Sequence, residues 1–149
     1  SLIGYAMVVI PLGAISGPAV AQYTPASVVK IAFVTTFITV GLGILGAIIP
    51  KSLESWGSWL FAGLMVLIVG QIFLPLAVAL GAPIEGGMTI LDWGGVLLFC
   101  GYVVYDLNRA MRVERNLDNS IDIALAVFLD WANIFIRLLG SGGSKKSGD

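Results

Sequence analysis

The chain has no histidine, one cysteine and few charged residues, and each shortage removes a class of function. Without imidazole there is no conventional zinc site and no histidine proton relay, so any proton chemistry falls to carboxylates. Cys100 has no second cysteine to pair with, which excludes an internal disulfide and leaves packing as its default role. Charged residues make up 11%, against about 25% in an average soluble domain. A formal net charge of -1 offers no basic surface for nucleic acid. Strict alternation of polar and apolar residues is also missing, and with it the signature of a membrane β-barrel.

What is present is apolar. Hydrophobic residues reach 58% and mean hydropathy is +0.97. Five stretches, residues 2–20, 28–49, 56–80, 88–107 and 121–139, approach or pass the ~20 residues a helix needs to cross a ~30 Å hydrocarbon core. Only helices of this kind satisfy their own backbone groups in lipid. The predicted fold is an all-α membrane protein, a polytopic bundle of five transmembrane helices, with the lipid bilayer as its first partner. It forms one unit over residues 1–140, followed by a flexible polar tail at 141–149 rich in glycine, serine and lysine. The first stretch and Ala19-Val20-Ala21 look superficially like a signal peptide, but no basic region precedes them and Pro11 and Pro18 interrupt them. Orientation is open, because Lys51, Arg109, Arg112 and Arg115 fall on one side and Lys30, Arg137, Lys145 and Lys146 on the other. The compact Arg-rich connection favours a cytoplasmic or matrix side for that loop.

Punctuation between the stretches is short. Thr24-Pro25 supplies helix-start chemistry, Pro50-Lys51-Ser52 ends the second stretch, and Ala82 to Gly87 makes a third turn. The longest connection runs from Asn108 to Ser120. Pro75 removes a backbone hydrogen bond to the Gln71 carbonyl and is expected to bend its helix. Gly13 and Gly17 form a GxxxG, and Gly94, Gly95 and Gly101 mark the fourth stretch, which predicts close helix packing. Gly41, Gly43 and Gly46 match GxGxxG, but no strand precedes them, so dinucleotide binding is not expected.

Function is sought at two aspartates inside apolar stretches. A carboxylate at a helix centre costs about 2.5 to 3.5 kcal/mol on insertion scales, so it faces a cavity, a partner or an ion path. Tyr102 lies one turn before Asp106 and Arg109 one turn after, on one face, and Tyr105 is its neighbour in sequence. Ala126, Asp130, Asn133 and Arg137 form a narrow polar stripe on the fifth stretch. Asp122 reads as a cap or interfacial residue. The two aspartates flank one connection between antiparallel helices and come within contact if that connection continues one helix or the next helix dips. Together they would share one proton as a coupled pair. Loss of that proton leaves an oxygen-rich, self-repelling site for a hard cation such as Ca²⁺, too few-ligand to hold it tightly.

The segments Gly101-Tyr102-Val103-Val104-Tyr105-Asp106 with Arg109, and Ile121-Asp122-Ile123-Ala124-Leu125 running into Phe128 to Leu139 through Asp130-Trp131-Ala132-Asn133, resemble the Bax inhibitor family. Gly17-Pro18 before Tyr23 and Trp59 to Leu64 are weaker matches in the same order. The resemblance implies a seven-helix fold, of which this chain would carry helices three to seven, and a paired-aspartate site at Asp106 and Asp130 that binds or passes Ca²⁺ in a pH-dependent way. It implies Ca²⁺ and protons as partners, no resident cofactor, and a role in regulating apoptosis. The tail and Phe73-Leu74-Pro75 look most similar to the mitochondrial growth-hormone-inducible branch, with a bacterial homologue the other choice. The expected location is a mitochondrial or bacterial inner membrane.

Two other classes compete with a Ca²⁺/H⁺ channel or exchanger. A structural or regulatory subunit docked on other membrane subunits, including a membrane protease, is the alternative. An intramembrane aspartyl protease is suggested by Tyr105-Asp106, but Asp130 follows Val127-Phe128-Leu129 rather than the Gly-x-Gly of that class, so no enzyme is expected.

Overall fold

The computed structural model describes residues 2–84 and 86–147. Five helices follow in order: α1 (Leu2–Val20), α2 (Pro25–Ile48), α3 (Trp56–Ala79), α4 (Gly87–Ala110) and α5 (Leu117–Gly142). All five are long and apolar enough to cross a membrane. Thr24 caps α2 by accepting from the Ser27 amide at 3.4 Å, with Pro25 preset in the first turn. Gly81 and Gly86 take positive φ of 88° and 75° at the ends of the α3–α4 turn, a conformation only glycine adopts freely. Glu85 of that turn lies outside the described residues. Pro75 sits inside an uninterrupted α3.

The fifth helix departs most from the expected boundaries. Asn116 accepts from the Asn119 amide at 2.8 Å and Asp118 occupies the first turn, so α5 starts earlier than its apolar run. Asp122 is therefore not the cap. The polar connection shrinks to residues 111–116. Asp106 lies about 6 Å from the end of α4 and Asp130 about 20 Å from the start of α5 at 1.5 Å per residue. Six connecting residues reach up to ~20 Å, enough to carry the start of α5 beyond the end of α4 and bring the two depths level.

Helix α4 packs on α2, α3 and α5, and α5 packs on α1, α2 and α4. Their shared core holds Val96, Phe99, Val103 and Ile134 with Leu67 of α3, and Cys100 packs against it. The outward faces of α1, α2 and α3 remain apolar at Ile10, Phe33, Phe37, Trp59 and Ile72, the surface a helix presents to lipid.

Glycine spacing predicted tight packing at more positions than have it. A methyl on Gly46 would run into the Val104 carbonyl, so α2 and α4 touch backbone to backbone there. Gly43 abuts Leu107. Gly13, Gly17 and Gly41 have open space around them among the described residues, and the GxxxG of α1 packs on nothing.

Asn108 makes the tightest polar junction. Its side-chain amide donates to the carbonyls of Gly46, Ile49 and Lys51 at 3.1–3.2 Å, and its oxygen accepts from the Leu53 amide at 3.1 Å. One buried side chain thus satisfies the end of α2 and the α2–α3 connection. The polar tail is not loose through residue 146. Thr24 N donates to Ser144 O at 2.9 Å, Lys146 N to Gln22 O at 2.8 Å and Ser144 N to Ser27 Oγ at 2.9 Å, pairing the tail antiparallel with the α1–α2 turn. The exposed backbone of that turn supplies the partners its composition does not reveal.

Candidate functional site

Asp106 reaches inward from the last turns of α4 and Asp130 from the middle of α5, and the two carboxyl groups lie at hydrogen-bonding range. Asp130 is buried, and its Oδ2 has no hydrogen-bond partner among the described residues. Two carboxylates at that range need a shared proton or a cation between them. Both line a cavity of about 450 Å³ together with Tyr102, Asn133, Gln71 and Arg137. Asp106 also lines a smaller cavity of about 70 Å³ toward the α4–α5 connection, with Arg109, Asn119 and Asp122.

The other sequence candidates divide between this pair and elsewhere. Tyr102 is within electrostatic range of both aspartates and packs tilted against Phe99, with ring centroids 5.8 Å apart. Arg109 is within range of Asp106. Asn133 lines the cavity while its amide donates to Leu129 O at 2.8 Å. Tyr105 turns away, its hydroxyl against Gly57 at the start of α3 and its ring lining a separate cavity with Asn108 and Arg112. Arg137 shares the cavity wall, but its guanidinium goes to another carboxylate. It pairs with Asp92 Oδ1 at 3.4 Å and reaches Leu91 O at 3.5 Å.

Sequence reasoning missed Asp92 and gave Gln71 no role toward Arg137. The Gln71 amide, with its oxygen facing the guanidinium, accepts from Arg137 Nη1 at 2.9 Å and from Nη2. The guanidinium lies 5.8 Å above the Phe99 ring and flat on Gly95, where a methyl group would overlap it. A signal was available. Asp92, Phe99 and Asp106 repeat at seven-residue spacing along one face of α4, and Asp130 and Arg137 do so along α5.

Among the described residues no cluster of three or more metal-ligating side chains occurs. The aspartate pair offers at most four oxygens, against the six to eight that Ca²⁺ takes, so water must complete any such shell. That donor set fits a transient cation rather than a resident one.

Residues 1–146 match the family model described as inhibitor of apoptosis-promoting Bax1. An uncharacterized protein of Caulobacter vibrioides is 30% identical over 95% of the chain and 58% of its own length. Protein LIFEGUARD 1 of Arabidopsis thaliana is 33% identical over 56% of the chain and 34% of its own length. The inner membrane protein YbhL of Escherichia coli is 25% identical over 83% and 55%. The chain thus spans between a third and three-fifths of the length of these curated relatives.

Proposed function

The chain belongs to the Bax inhibitor family, and we propose that this integral membrane protein carries a pH-sensitive path for Ca²⁺ and protons through the Asp106–Asp130 pair. The observation that carries the reading is the meeting of two carboxyl groups, from different helices, at the wall of an open 450 Å³ cavity between apolar helices. With one shared proton the pair is drawn together and carries reduced charge. When that proton leaves, repulsion separates the side chains and their oxygens attract a cation. Flux therefore rises as the pair deprotonates. Tyr102 and Arg109 flank the pair and tune the pH at which this happens. An inner membrane, as the printed name of the Escherichia coli relative gives for that protein, is the proposed location.

The test is Ca²⁺ uptake into vesicles containing the full natural protein over a pH series, beside Asp106→Asn and Asp130→Asn. Uptake that rises with pH in the natural protein and loses its pH dependence in both variants is expected. Folded protein that passes no Ca²⁺ at any pH would overturn the reading and favour a structural or regulatory subunit.

A further inference from the structure

Three cavities follow one another along α5. The smallest, at Asn119 and Asp122, shares Asp106 and Ala126 with the aspartate cavity. The aspartate cavity shares Gln71, Asn133 and Arg137 with a third, of about 350 Å³, that reaches Asp92, Tyr23 and Gly140. From Asn119 to Gly140 the helix rises about 32 Å, close to the ~30 Å hydrocarbon thickness. The series is long enough to cross a bilayer, and its cavities meet at two places, at Asp106 of the aspartate pair and at Arg137.

The second junction is built differently from the first. Arg137 is buried, and Asp92, Gln71 and the Leu91 carbonyl hold its guanidinium through the Nη atoms, while Nε has no partner among the described residues. Gly95 supplies the bare surface on which the guanidinium lies, whereas the adjacent Gly94 faces open space.

We propose that Arg137 is a second barrier in series with the aspartate pair, a tethered positive charge that separates the aspartate cavity from the Tyr23 side and opposes cations passing between them. The proposal rests on the reading of the aspartate cavity as a cation path, but its test does not require that any Ca²⁺ flows. Asp92 and Gln71 set the position of the guanidinium, and so act through Arg137 rather than on the ion.

The experiment is thiol accessibility in the full natural protein, reconstituted in vesicles, with Cys100→Ala as background and Leu129→Cys as the reporter in the aspartate cavity. A membrane-impermeant cationic methanethiosulfonate is added on the Tyr23 side. With Arg137 in place Leu129→Cys is expected to react slowly. Arg137→Gln should speed it by about tenfold or more, the scale of one unit charge within a partly desolvated path. An anionic reagent of the same size should gain less, a difference that loosened packing alone would not produce, and Arg137→Lys should restore most of the block. Gly95→Ala, which keeps the charge but takes away its seat, should also speed labelling and serves if Arg137→Gln does not fold. Labelling that is fast with Arg137 present, or unchanged in folded Arg137→Gln and Gly95→Ala, would overturn the proposal. Labelling that changes as expected while Ca²⁺ uptake stays absent would uphold the barrier and overturn the cation-path reading.

Discussion

The aspartate pair and the arginine cluster stand two turns apart on α5, yet one joins like charges and the other opposite charges. At Asp106 and Asp130 two acids face each other with an acceptor oxygen left unpartnered. At Arg137 an acid, an amide, a carbonyl and an aromatic face converge on one guanidinium. The first is electrostatically unsatisfied until a proton or cation arrives, and the second is nearly complete as it stands. A membrane interior makes both expensive, so their difference is informative. Stability accounts for how the arginine cluster is held together but gives no reason to retain the acid pair, which is why the proton and cation chemistry is placed there.

Neutralising each constellation should move stability in opposite directions, and these substitutions have the largest expected effects. Asp130→Asn removes the repulsion and is expected to abolish the pH dependence of Ca²⁺ uptake. It should also raise thermal stability at alkaline pH, by about 1–3 kcal/mol, with little change at acid pH, where the natural pair shares a proton. Arg137→Ala leaves Asp92 and the Gln71 side-chain oxygen without their donor, and is expected to lower stability by about 1–3 kcal/mol. Thermal unfolding of the two variants across pH would read both signs. Loss of stability in Asp130→Asn would mean that the pair is structural glue.

A smaller effect separates two adjacent glycines. Gly95→Ala pushes into the guanidinium of Arg137 and should cost about 1–2 kcal/mol, whereas Gly94→Ala meets open space and should be nearly neutral. Equal effects would mean that Arg137 does not rest on α4. The smallest expected shift is at the tyrosines. Tyr102→Phe, beside both aspartates, should move the midpoint of Ca²⁺ uptake by less than about one pH unit, and Tyr105→Phe, turned toward Gly57, should not move it.

Much of this contrast was legible in the chain, for physical reasons that also mark where reading stopped. Five apolar runs give five helices because lipid permits little else, and Asp106 and Asp130 stand out because charge in such runs is rare. Helical periodicity placed Arg137 on the stripe of Asp130, but a period fixes only the face of a helix and not the partner across it. Arg137 is long enough to leave its own stripe for Asp92, which sits early in α4 where an acid looks interfacial. Asn108 was read as the first residue of a loop, since nothing local shows that it reaches back to the end of α2. The tail looked loose because backbone pairing with the α1–α2 turn leaves no mark on composition. Gly13 and Gly17 mislead in the other direction, as spacing signals a capacity for close packing without naming a neighbour.

The most direct test of the paired site is the Ca²⁺ uptake of the double variant Asp106→Asn/Asp130→Asn against the two single variants over one pH series. If the carboxyls work as one unit, the double variant should match the more impaired single variant, because either loss already destroys the shared site. Independent, multiplicative losses in the double variant would contradict it.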